Sequence, residues 1–313
     1  MLNKLLKNSE LKWTILYQLS ILLGGVFLIK LLAVTLSKED YGYYSLITSI
    51  SAFILMMPFT AYMQGISRYI SIYNKKNKSS IFFTNIIVLF ATFTMVYLIL
   101  SIILKQYIPI SWSEVYWYIV LFVITEIFKV LFYTISNANR LRKSVSISSI
   151  SEFSLKLSFV YIFYIYFNIS IEYVLLSLSF GNITALVILK YNYIASLHID
   201  RKFLKYFKIH FHRIWIFSYP LLIWAIFGWF RDMSNRWYLD YFLDKEAVAL
   251  FAMMSSIALI APVALQGLIG SYFIPILYEK AAWSALCAAD LAIYRLKYLS
   301  KMHFKVFKIF TNE

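Results

Sequence analysis

The sequence predicts an all-α protein: a polytopic transmembrane helical bundle of about eight spans, with both termini on the cytoplasmic side. Three observations carry that prediction. The 313 residues are 61% hydrophobic and only 14% charged, with a mean hydropathy of +0.71. A soluble domain carries about a quarter charged residues. The apolar residues fall in runs long enough to cross about 30 Å of hydrocarbon, for which a helix needs about 20 residues. The cations fall almost wholly in alternate connections between those runs.

The runs, in order, begin with Trp13–Leu36, which is too long for a cleaved signal and is followed at once by Tyr43–Ser67. Then come Ile81–Leu104 and Val115–Ile135, and after them Ile147–Phe167 and Val174–Leu189. Pro220–Leu243 and Leu250–Ile274 complete the set. Aromatic residues mark the interfaces: Trp112, Tyr116, Trp117 and Tyr118 at the outer end of the fourth span, and Trp13 and Trp215 at inner ends. Gly24, Gly25, Pro58 and Pro220 are candidate bending points, although Gly and Pro are common in membrane helices without bending them.

Orientation follows from the cations. The N-terminus carries Lys4, Lys7 and Lys12; the second connection Arg68, Lys75, Lys76 and Lys78; the fourth Arg140, Arg142 and Lys143. The sixth carries Lys190, Arg201, Lys202, Lys205, Lys208 and Arg213, and the tail Lys280, Arg295, Lys297, Lys301, Lys305 and Lys308. The opposite side has Lys38, Lys105 and Lys245. Cytoplasmic loops hold such an excess, so N-in and C-in follow. The same placement explains the formal net charge of +15 without nucleic acid. The stretch Arg201–Arg213 alternates cations with aromatics and is expected on the anionic inner leaflet.

Several chemistries are excluded. The single cysteine, Cys287, leaves no intramolecular disulfide and no multi-cysteine metal site. No G-x-x-x-x-G-K-[ST] loop exists for a nucleotide. No nucleophile–base or carboxylate constellation points to an enzyme, and no cofactor or metal is expected. His210 and His212, in the most basic loop, read as interfacial residues rather than metal ligands.

An internal repeat organises the chain. LSKEDYGYYSLITSI at Leu36–Ile50 and LDKEAVALFAMMSSI at Leu243–Ile257 are offset by 207 residues and identical at five of fifteen positions, with Gly42 against Ala249. Six predicted spans separate the copies, so both share one orientation, as halves related by an axis along the membrane normal do. Residues 1–194 are therefore expected as one six-helix bundle, 195–219 as a basic cytoplasmic connector, and 220–279 as the first helix pair of a second bundle. Residues 281–292 are half alanine, and residues 288–311, where the repeat would place a ninth helix, carry Asp290, Arg295, Lys297, Lys301, Lys305 and Lys308. At roughly 2.5–3.5 kcal/mol per central charge it is not expected to span. Residues 280–313 read either as an aberrant basic tail, where the chain departs from the repeat, or as a basic interfacial helix.

Lys30–Tyr73, KLLAVTLSKEDYGYYSLITSISAFILMMPFTAYMQGISRYISIY, resembles the opening of the polysaccharide/O-antigen flippases. These belong to the multidrug/oligosaccharidyl-lipid/polysaccharide exporter superfamily. The pattern is an acidic residue before Tyr-Gly-x-Tyr and a second helix ending in Arg-Tyr, here Glu39, Asp40, Tyr41, Gly42, Tyr44, Arg68 and Tyr69. Arg236–Leu277 is similar to the corresponding second-half segment, and the likeness covers most of residues 10–280. The resemblance implies two six-helix bundles in the bacterial inner membrane. It also implies movement of undecaprenyl-pyrophosphate-linked oligosaccharide between leaflets, with a lipid-linked oligosaccharide and membrane lipids as partners, alongside polysaccharide polymerase and chain-length machinery. The departure is length, which leaves a multidrug or cation antiporter of the same superfamily and a non-transporting remnant as alternatives.

Ionisable residues at membrane depth are the candidate path. Lys30 lies in the outer half of the first span. Glu126 and Lys129 share a face of the fourth, and Glu152 and Lys156 share a face of the fifth. Arg231 and Asp232 fall near the midplane of the seventh, with Arg236 and Asp240 further out. Cations in a central cavity would offset the cost of a diphosphate in low dielectric. The acid–base neighbours equally suit mutual neutralisation between helices, and Lys30 and Arg236 lie within snorkelling reach of the outer interface. Arg231 is the leading candidate, because a midplane arginine does not snorkel easily.

Overall fold

The computed structural model describes residues 9–75, 79–107, 110–194 and 203–310, and the side chains of 281–310 lie outside the described residues. Every regular element among the described residues is helical. In chain order these are α1 (Ser9–Thr35), α2 (Lys38–Ile54), α3 (Ala61–Lys75), α4 (Ser79–Leu104) and a four-residue α5 (Ile110–Ser113). They continue as α6 (Tyr116–Ala138), α7 (Arg142–Tyr166), α8 (Ile171–Ile194), α9 (Phe203–Phe242) and α10 (Lys245–Phe310). A π-helical segment, Leu55–Thr60, joins α2 to α3.

Among the described residues eight rods correspond to the eight predicted spans, one of them the joined α2 and α3, which is not among the helices long and apolar enough to cross a membrane. Six are single helices long and apolar enough to cross a membrane, and the Lys245–Lys280 part of α10 qualifies as a bent pair. Its bend, 48°, lies at the break before Pro262, a position the sequence reading did not single out. Pro220, by contrast, sits inside an uninterrupted α9. That helix begins at Phe203, so the second part of the expected connector is continuous with the seventh span. The backbone beyond Lys280 stays helical to Phe310.

The packing inverts the pattern of a soluble protein. Leu23, Phe27, Ile99, Ile102, Ile165 and Val187 point outward, and Ser49, Ser146, Ser148, Ser177 and Asn182 are fully enclosed. Lipid is as apolar as leucine, so close backbone contact and interhelical hydrogen bonds drive association instead. Accordingly Ser20 Oγ lies 2.6 Å from Ser149 Oγ between α1 and α7, and Ser148 donates to the Ala185 carbonyl on α8.

α1, α6, α7 and α8 form one packed group. α10 lies against α1, α2 and α3, and α9 against α3, α4 and the π-helical segment. The two repeat copies meet at one end of the molecule. Lys38 of the first reaches Glu246 of the second at 3.5 Å. Lys245 stands 4.6 Å above the Tyr43 ring and also holds Asp240 at 2.5 Å. Gly42 makes this approach possible, because a Cβ there would overlap the Lys245 carbonyl oxygen.

Candidate functional site

The predicted pairs on α6 and α7 are not two sites but one. Glu126 and Lys129, three residues apart on α6, are joined at 2.7 Å. Glu152 and Lys156, four apart on α7, are joined at 2.5 Å. Lys129 then crosses between helices to Glu152 at 3.0 Å, closing a chain of alternating charge. Lys129, Glu152 and Lys156 are buried. Buried ions persist when paired and when their remaining lone pairs are hydrogen-bonded, and both conditions hold. Tyr133 donates to Glu152 at 3.1 Å, and Asn182 on α8 donates to Glu126 at 2.8 Å. Gly181 admits the Lys156 stem, since a Cβ there would overlap it. The quartet is carried by α6 and α7, and Asn182 of α8 closes it.

The remaining predicted residues are dispersed. Lys30 is exposed on α1 and makes no ion pair among the described residues. Arg231 is also exposed, its side chain 71% accessible, and it grips its sequence neighbour Asp232 through two bonds of 2.7 and 3.0 Å. Adjacent residues on a helix project about 100° apart, yet the long guanidinium bridges that angle. The repeat offset sets Arg231 on the position of Gly24, whose face in the first copy is turned to Phe153 of α7. Arg236, expected within reach of the outer interface, turns instead to α2, where Nη1 donates to the Ser45 carbonyl at 3.1 Å. Trp229 and Trp237 donate to Ser49 on the same helix, at 2.8 and 3.0 Å. Asp240 is held by Lys245. Beside Trp229, Trp237 and Asp240 an open groove of about 700 Å³ runs along the outer half of α9.

Three arrangements escaped the sequence reading. His210, expected at the interface, is buried against Tyr73 and Phe82 and lies 2.5 Å from Asn85 on α4. Gln18 of α1 is buried beside Gly267 and donates to Ser271 of α10 at 3.2 Å, tying the first span to the eighth. At the end of the molecule bearing most cations, Arg140 holds Glu10 of α1 at 2.8 Å and Glu279 of α10 at 2.9 Å. The Glu10 carboxylate, with Glu279 behind it, raises the Arg140 guanidinium above its already high value. Arg140 adopts a left-handed backbone, φ 60°, costly for a residue with a side chain.

Comparison with known proteins adds the family. The family described as "Polysaccharide biosynthesis protein" matches residues 9–279. No curated protein sequence matches the chain. A solved structure, a mutant of the MATE transporter VcmN from Vibrio cholerae, superposes with a TM-score of 0.64 at 12% identity. The likeness covers 87% of this chain and 65% of that one, so this chain spans about two-thirds of the transporter's length. At that identity the likeness establishes the fold alone, an all-helical bundle.

Proposed function

Since the chain belongs to the polysaccharide biosynthesis protein family, over residues 9–279, we propose that it moves lipid-linked oligosaccharide across the bacterial cytoplasmic membrane. The cargo is an undecaprenyl-pyrophosphate-linked repeat unit of O-antigen or another polysaccharide. The family match carries this reading, and the transporter fold supports it.

The geometry suggests how. The sugar and its diphosphate cross between the two halves, and the polyprenyl tail stays in lipid beside them. The halves rock so that the contact where Lys38 meets Glu246 opens and closes, and the path faces each side in turn. A diphosphate in low dielectric needs cations, since an unpaired buried charge is prohibitively costly. The deep cations Lys129 and Lys156 are already neutralised within the first bundle. Lys30 and Arg231 are the exposed ones, and Arg231 is the proposed contact to the cargo. Polymerase and chain-length proteins are the proposed partners downstream.

A cation antiporter of the same superfamily is less well supported. It would need an available acid at depth, but Glu126 and Glu152 are each engaged by lysine, Asp240 by Lys245 and Asp232 by Arg231.

The test is expression in a strain lacking its own flippase. Restored surface polysaccharide is expected for the wild type, and none for Arg231→Ala at normal protein level. Full activity in that variant would remove Arg231 from the path. Expulsion of cationic dyes without polysaccharide would replace the flippase reading with the antiporter.

A further inference from the structure

The start of α7 is built against the helix dipole. A helix N-terminus carries about half a positive charge and attracts anions, yet this one brings Arg140, Arg142 and Lys143 together. Leu141, at the capping position, provides no side-chain hydrogen bond to the first turn.

Arg142 is the anomaly. It is 3% exposed. Its Nη1 donates to Asn137 at 2.8 Å, but Nε and Nη2 are buried without any hydrogen-bond partner. A buried guanidinium with idle donors costs the desolvation of those groups, and guanidinium forks match phosphate oxygens. Burial acts most on its charge, then Glu10, Arg140 and the phenols of Tyr272 and Tyr17, and among the described residues no carboxylate pairs with it directly. Two residues away, Arg140 borders a cavity of about 200 Å³ lined also by Ser71, Asn74, Asn139 and Glu279. Asn74 donates to Asn139 across it at 2.7 Å.

We propose that this corner is a second anion site, where a phosphate-ester group is held by Arg142 through Nε and Nη2 and by Arg140 in exchange for Glu279. Releasing Glu279 from Arg140 removes one of the links between α10 and the α6–α7 corner. Binding there thereby weakens one link between α10 and the start of α7. The ligand class rests on the transport reading above. Phosphate at this level has two sources, the diphosphate of the cargo and the headgroup of an anionic inner-leaflet lipid.

The full chain, reconstituted in phosphatidylcholine nanodiscs, is titrated with radiolabelled inorganic pyrophosphate. Saturable binding is expected, weakened about ten-fold or more in Arg142→Gln, equivalent to about 1.4 kcal/mol. Glu279→Gln removes the competing carboxylate and is expected to tighten binding, which a misfolded chain would not do. Nanodiscs containing phosphatidylglycerol separate the sources: weakened pyrophosphate binding there assigns the site to lipid, and unchanged binding assigns it to the diphosphate. The site is overturned if wild type binds no pyrophosphate in phosphatidylcholine, or if Arg142→Gln binds as tightly as wild type. Binding without polysaccharide transport would leave this site standing and sink only the transport reading.

Discussion

Glu152 accepts from Lys129, Lys156 and Tyr133, so the members of the quartet are not equivalent. Without Glu152, two buried ammonium groups are left with Glu126 alone. Without Lys156, Glu152 keeps Lys129 and Tyr133. Breaking a buried pair from one side typically costs about 3–5 kcal/mol. Glu152→Gln is therefore expected to lower the unfolding temperature in nanodiscs more than Lys156→Met does. An equal or reversed order would mean that the cluster is not organised around Glu152. Helical spacing made each pair legible in the sequence, because i,i+3 and i,i+4 neighbours share a face. It carried no information on the register between α6 and α7, so neither the Lys129–Glu152 bridge nor the part of Asn182 was readable. Arg142 was visible too, but the positive-inside rule accounted for it, and only its burial sets it apart from its neighbours.

At the scale of helices, contact depends on where a Cβ is missing. Gly42→Ala would force α2 away from the Lys245 backbone, which has no flexible end to move aside. A loss of about 1–3 kcal/mol is expected, as for other overpacked sites. Gly25 has open space around it. Gly25→Ala is expected to be neutral, or stabilising by up to about 1 kcal/mol through helix propensity. Thermal unfolding of both variants checks the contrast, and equal behaviour would refute the close approach of α2 to α10. The positions of the spans were legible because hydrocarbon thickness fixes the length of an apolar run. Their irregularities were not: the π-helical segment between α2 and α3 and the bend before Pro262 depend on neighbours. Pro220, which local rules mark as a breaker, is accommodated inside α9.

At the scale of the whole molecule, the repeat joins the halves. The motif Leu-x-Lys-Glu occurs twice, and the copies meet as Lys38 and Glu246. Both side chains are more than half exposed, and such pairs contribute about 0–1 kcal/mol. Lys38→Glu is expected to leave the unfolding temperature unchanged. A cysteine at each of these positions, bridged by a short bifunctional thiol reagent in a Cys287→Ser background, is expected to arrest transport by fixing one end. Undiminished transport after bridging would show that the cycle does not open this contact. The duplication was readable from the sequence because its copies are compared residue by residue. That the copies face each other was not, since a repeat fixes orientation and leaves separation open.

The buried quartet also has an electrical consequence. Two carboxylates and two ammonium groups sum to no net charge, and their pairs are held within 2.5–3.0 Å. A unit charge carried through 100 mV involves work of about 2.3 kcal/mol, but a neutral cluster moved as a unit involves none. The α6–α7 pair can therefore move in an energised membrane without its buried centre drawing on the potential. Any voltage dependence of the proposed cycle would fall to Lys30, Arg236 and the proposed anionic cargo, because Arg231 is neutralised by Asp232.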